Sequence, residues 1–158
     1  MKPRRVAGLT IGLLALTMIA APAFAGPVED FFARSHAAEA KGKLADAVLL
    51  AQAAVVDDPA RATSYVALAD LYGRHREFHN AWKYYTEALG IDPTLAPALR
   101  GAGQAELALD DGPGAEGFLT RLKKSCGADC KETRELAAAL KSAQKSQPDS
   151  ASASLDKN

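Results

Sequence analysis

Two cysteines stand four positions apart in Cys126-Gly-Ala-Asp-Cys130, and this is where residue types and spacing first suggest chemistry. A thiol pair can close a disulfide, exchange electrons or hold a metal, and the redox compartment selects among these. In an oxidising compartment the default is a bridge, and Gly127 lets the loop turn tightly enough to bring the sulfurs together. So short a loop removes little unfolded-chain entropy, so the work of the bridge is local: it holds one joint of the chain at one angle. Haem attachment needs Cys-x-x-Cys-His, whereas here the spacing is one residue longer and Lys131 follows the second cysteine. A thioredoxin-like pair needs Cys-x-x-Cys in a strand and helix context that this chain does not offer. Three-residue spacing suits copper-handling thiols, but no His or Met lies nearby in sequence to complete a coordination sphere. A structural disulfide through Cys126 and Cys130 leads, with a reactive redox pair and a metal site as alternatives.

His75-Arg-Glu-Phe-His79 has two imidazoles at helical spacing. The segment straddles a predicted turn, so the rings need not share a face, and Arg74 and Arg76 put positive charge where a metal would sit. The order is not His-Glu-x-x-His, and a zinc site needs at least three protein ligands, so an exposed polar turn is expected and no metal. The acid pairs Asp57-Asp58 and Asp110-Asp111 fall at predicted turns, where carboxylates cap helices rather than act as buried general acids. The sequence contains no Gly-x-Ser-x-Gly elbow, phosphate loop or Rossmann glycine motif. Neither an enzyme nor a cofactor is expected.

The elements that position these residues repeat. Pro59 and Pro93 are thirty-four residues apart, and Ala47 with Ala81 and Ala54 with Ala88 keep the same step. A period of that length marks a solenoid of helix pairs. Tyr65, Leu68, Ala69 and Tyr72 share one face of a 3.6-period helix, and Ala81, Tyr85 and Ala88 share one face of the next, so the two faces close on each other. Ala69 and Ala81 are small where backbones approach, Tyr85 fills the space beside them, and Pro93 disfavours helix at Asp92.

This middle copy resembles the tetratricopeptide repeat family, whose pattern runs aromatic, Leu, small, Tyr, then Ala, aromatic, Ala and Pro. The resemblance implies an all-α protein of three helix pairs, about 28–61, 62–95 and 96–129, in a short right-handed solenoid with a capping helix over 131–145. The first copy keeps Phe31, Ser35, Ala38, Gly42, Leu44, Ala47, Ala51, Ala54 and Pro59 but has Arg34 where the family has Leu. The third keeps Leu99, Ala102, Gly103, Ala115 and Leu119, and ends in Cys126-Gly127 rather than Asp-Pro. Its turn holds Gly112, Pro113 and Gly114, with Gly117 beyond, so low helix propensity predicts a late start for its second helix. Leu136 and Leu140, one turn apart among charges, suit a cap with one apolar stripe.

In this family the first helix of each pair turns a face toward a concave groove. By helical spacing that face here holds Phe32, His36 and Glu39, then Thr63, Val66, Asp70 and Arg74, then Arg100, Gln104 and Leu107. The resemblance implies that Phe32, Val66 and Leu107 anchor a peptide while Arg74 and Arg100 hold a carboxylate. Family members that clamp the C-terminal carboxylate of chaperones use Lys and Asn at successive turns. Here those places hold Phe32 with His36, Val66 with Asp70, and Arg100 with Gln104, and only the last pair keeps a cation followed by an amide.

Lys2, Arg4 and Arg5 precede an apolar run from Val6 to Ile19, and Ala23-Phe24-Ala25 supplies the small residues of a signal-peptidase site. The run is short for a membrane span, so 1–25 reads as a signal peptide cleaved after Ala25, with export to a bacterial periplasm and no anchor afterwards. Cleavage removes three cations and no acid, leaving 16 basic against 19 acidic residues, a net charge of −3 on 133 residues. No polybasic patch or aromatic platform points to nucleic acid. One domain is expected, with a loose tail over 146–158 rich in Ser, Ala and Asp. The expected protein is an envelope adaptor that binds a protein or peptide partner, as a monomer or weak homo-oligomer. A thiol redox or metal-handling factor and a self-associating structural unit are the alternatives.

Overall fold

The computed structural model describes residues 26–146, so the predicted leader over 1–25 and the predicted tail beyond Ser146 lie outside the described residues. Among the described residues there are seven helices and no strand: α1 Pro27–Ala40, α2 Leu44–Asp57, α3 Ala62–Arg74, α4 Phe78–Ile91, α5 Ala96–Ala108, α6 Gly112–Cys126 and α7 Lys131–Ser146. The helices α1 with α2, α3 with α4 and α5 with α6 pack as antiparallel pairs, and α7 closes the stack against α5 and α6.

The period is visible in the backbone. Helices α2, α4 and α6 begin at 44, 78 and 112, and α3 and α5 at 62 and 96, so each step is one repeat. Each first helix ends the same way. Lys43, Glu77 and Asp111 donate their backbone N–H to the carbonyls of Ala38, Tyr72 and Glu106, at 3.0, 3.0 and 2.9 Å. That bond requires a left-handed residue before it. Gly42, Arg76 and Asp110 take the role, with φ of 72, 63 and 62°. Asp58 and Asp92 close α2 and α4 by donating to Ala54 and Ala88, and Pro59 and Pro93 then prevent continuation.

Small residues let the pairs approach. Ala47, Ala81 and Ala115 are at most 1 % exposed at one repeat position, and Ala54, Ala88 and Leu122 are fully buried at another. Ser35 stands where the later copies have Ala69 and Gly103, and its hydroxyl donates to the Ala47 carbonyl at 2.8 Å. A Cβ on Gly103 would come within 2.6 Å of Leu136 Cδ2, so glycine there is what lets α7 seat Leu136 on α5.

The third pair corrects the expected late helix start. Helix α6 begins at Gly112, in register with α4. Asp111 caps it, accepting from the Gly114 N–H at 2.8 Å, and Pro113 lies in the first turn, where a missing N–H costs nothing. The cap and the proline offset the glycine cost, which is small in a first turn packed on α5.

Candidate functional site

Helices α3, α4 and α5 enclose a cavity of about 440 Å³, lined by Asp70 and Arg74, by Tyr85, and by Arg100, Gly101 and Gln104. Tyr85 donates its hydroxyl to the Asp70 carboxylate. Burial first, and the hydrogen bond to Asp70 second, push the Tyr85 hydroxyl far above the usual phenol range, so it stays a donor at any physiological pH. Gly101 lies flat against the Tyr85 ring, where a Cβ would overlap ring atoms.

Both arginines of the site hold carboxylates of this chain. Arg74 forks onto Glu39 with Nε to Oε1 and Nη2 to Oε2 at 2.9 Å each. His75 Nε2 lies 3.1 Å from Glu39 Oε1, and His36 Nδ1 lies 3.8 Å from Oε2. The Arg74 hydrogen bond holds the Glu39 carboxyl below its ordinary range, with His75 adding to it, and Glu39 in turn raises Arg74. Arg100 donates Nη1 to Gln104 Oε1 at 3.1 Å and places Nε 3.5 Å from Glu135 Oε2. Its Nη2 has no partner among the described residues.

Of the sequence-predicted groove residues, Asp70, Arg74, Arg100 and Gln104 line this one cavity. Phe32 is half-buried against the core on α1, and His36 is exposed beside Glu39. Val66 is a correction: it is 9 % exposed and belongs to the hydrophobic core, so it is no groove anchor. A middle helix meets α2, α4 and α5, which leaves less of its circumference open than a terminal helix keeps. Leu107 likewise packs against the core. From the sequence Tyr85 is expected only as core filler, Glu39 falls on the expected groove face, and Glu135, on the capping helix, does not. A signal for both acids existed: Glu39 to Arg74 and Arg100 to Glu135 are each one repeat plus one residue apart.

Away from the cavity, the Cys126 and Cys130 sulfurs stand at disulfide distance, 2.03 Å, across the elbow between α6 and α7. Gly127, with φ 91°, makes the turn that an L side chain would strain. His75 follows α3 and turns to Glu39, while His79 is exposed in the first turn of α4. No helix among the described residues is long and apolar enough to cross a membrane.

This architecture defines a helical-repeat solenoid with an open cavity between α3, α4 and α5. No family model matches the sequence, and no curated protein matches it. Solved structures do. The TPR2B domain of yeast Sti1, in a pHsp70 complex, aligns with TM-score 0.67 at 17% identity, over 78% of this chain and 100% of that one. The Sgt2 TPR domain from Aspergillus fumigatus gives 0.65 at 18%, over 82% and 93%. The first TPR of Spaghetti (RPAP3), bound to an HSP90 peptide SRMEEVD, gives 0.62 at 18%, over 73% and 92%. The fold is therefore that of tetratricopeptide repeat domains.

Proposed function

We propose that this protein is an exported scaffold that binds a segment of a partner protein in the cavity between α3, α4 and α5. The observation that carries this reading is the convergence of Asp70, Arg74, Arg100 and Gln104 on one open cavity beside the small residues Gly101 and Ala105. The small Ala105 leaves room for a backbone, and the free Nη2 of Arg100 and second oxygen of Asp70 offer a donor and an acceptor to its peptide groups. Two of the similar solved domains are described with peptide or chaperone partners, which supports a binding role for the fold. The ligand chemistry differs here, because Arg74 and Arg100 already face Glu39 and Glu135. Export is supported by the leader, and α1 starts at Pro27, so cleavage after Ala25 leaves the first helix whole.

The test is crosslinked recovery of partners from periplasmic extract with residues 26–158, beside an Arg100→Glu, Gln104→Ala variant shown by circular dichroism to be folded. A partner enriched by the wild type and lost from the variant is the expected result; equal recovery from both rejects the cavity as the site. The intact mass of the exported protein should begin at Gly26, and an uncleaved chain rejects the export reading.

A further inference from the structure

Cys126 ends α6 and Cys130 immediately precedes α7, so both sulfurs sit at the elbow between the last repeat and its cap. Glu132, in the first turn of α7, brings a carboxylate to the same place. The two sulfurs and a Glu132 oxygen all lie within 4.8 Å of one another. Beneath them Thr133 is 2 % exposed, and its Oγ1 lies 3.0 Å from Cys130 Sγ and 3.6 Å from Cys126 Sγ. That hydroxyl donates to the Gly127 carbonyl at 2.8 Å, which ties the loop between the cysteines to α7. Lys131, the adjacent cation, turns to Glu135 at 3.8 Å, and Glu132 forms no ion pair among the described residues.

We propose that, once the bridge is reduced, Cys126, Cys130 and Glu132 form a three-ligand site for a borderline divalent cation of the zinc class. Two thiolates on one tetrahedral zinc, each about 2.3 Å from the metal, need their sulfurs roughly 3.7 Å apart, a small opening of the present loop. The carboxylate as third ligand favours zinc over cuprous ion, which takes thiolates and thioethers. Cys126 is exposed, so the fourth position is open to water or to a ligand from another protein. The site is hidden in the sequence because neither His nor Met lies near the cysteines, whereas the carboxylate comes two residues after the second cysteine and is brought beside the sulfurs by α7.

Reduction delivers two electrons and two protons to the Cys126–Cys130 bond from an external dithiol, which leaves as its own disulfide. The cation then displaces the two thiol protons to solvent. Bridge and metal are mutually exclusive, so an oxidant that re-forms the bridge releases the cation.

The experiment uses the full chain, reduced and freed of reductant without air, titrated with cobalt(II) as a spectroscopic stand-in for zinc. The expected result is a sulfur-to-cobalt charge-transfer band that saturates at one cobalt per chain, is displaced by zinc, and is absent from Cys130→Ser. Glu132→Gln should weaken cobalt binding at least about tenfold, the lower bound for losing even an outer partner of a metal ligand. No band in the reduced wild type, or unchanged affinity in Glu132→Gln, overturns the proposal. If reduction alone lowers the helical circular dichroism signal, zinc must restore it, and failure to do so overturns the proposal equally.

Discussion

Tyr85 and Gly101 form the wall of the cavity as a pair, since the ring occupies the space that any side chain on Gly101 would need. Gly101→Ala should therefore destabilise the protein by about 1–3 kcal/mol through overpacking, read as a lower urea midpoint with an unchanged slope. An unchanged midpoint would show that the ring moves aside freely. Glu39 gives a prediction in pH. Its folded carboxyl is held below the ordinary glutamate value of about 4.3, so its contribution is full above that value and lost as pH falls through the lower, folded one. Glu106 opposes it, because burial beside Asp111 pushes that carboxyl up. The clean measurement is thus a difference: Glu39→Gln should lower the melting temperature above about pH 5, and the gap should close as pH falls through the lowered, folded value. Parallel curves at every pH would remove Glu39 from the account.

Helix ends were more legible than helix surfaces. The thirty-four-residue step of Pro59 and Pro93 and the pattern from Tyr65 to Ala88 pointed to stacked helix pairs, because prolines and close-packed alanines act on the backbone directly. The start of α6 was misread, because propensity was counted without the Asp111 cap. Arg76 is the converse case, a bulky residue at φ 63° where the first copy has Gly42. Left-handed backbone costs an L residue about 1–2 kcal/mol, so Arg76→Gly should stabilise by roughly 1 kcal/mol in thermal melts. A loss would mean that the stacking of Arg76 on Phe78, 5.9 Å from its centroid, outweighs the backbone. Asp111→Ala should cost about 1 kcal/mol, with faster amide exchange confined to the first turn of α6.

At the scale of the whole chain, the two ends of the stack are finished differently. Helix α7 covers the last pair, whereas the first pair relies on substitution. Asp30 and Arg34 stand where the later copies bury Ser64 and Leu68, then Ala98 and Ala102, and they face solvent paired at 3.5 Å. A charged pair on an otherwise packing face opposes end-to-end stacking. The wild type should sediment as a monomer, and Arg34→Leu should add a dimer at high concentration; a monomeric variant would show that Asp30 alone suffices. This role was only half legible in Arg34 itself: its departure from Leu was plain, but its meaning needed the exposure of its neighbours. Val66 and the ion pairs to Glu39 and Glu135 were missed because helical spacing names a face without saying which neighbour covers it. The even step of helices α2, α4 and α6 also makes the chain a kind of ruler. Splicing a second 62–95 after residue 95 would lengthen the solenoid by one graduation and leave both ends as they are, so its length is set by how many copies of one segment it carries.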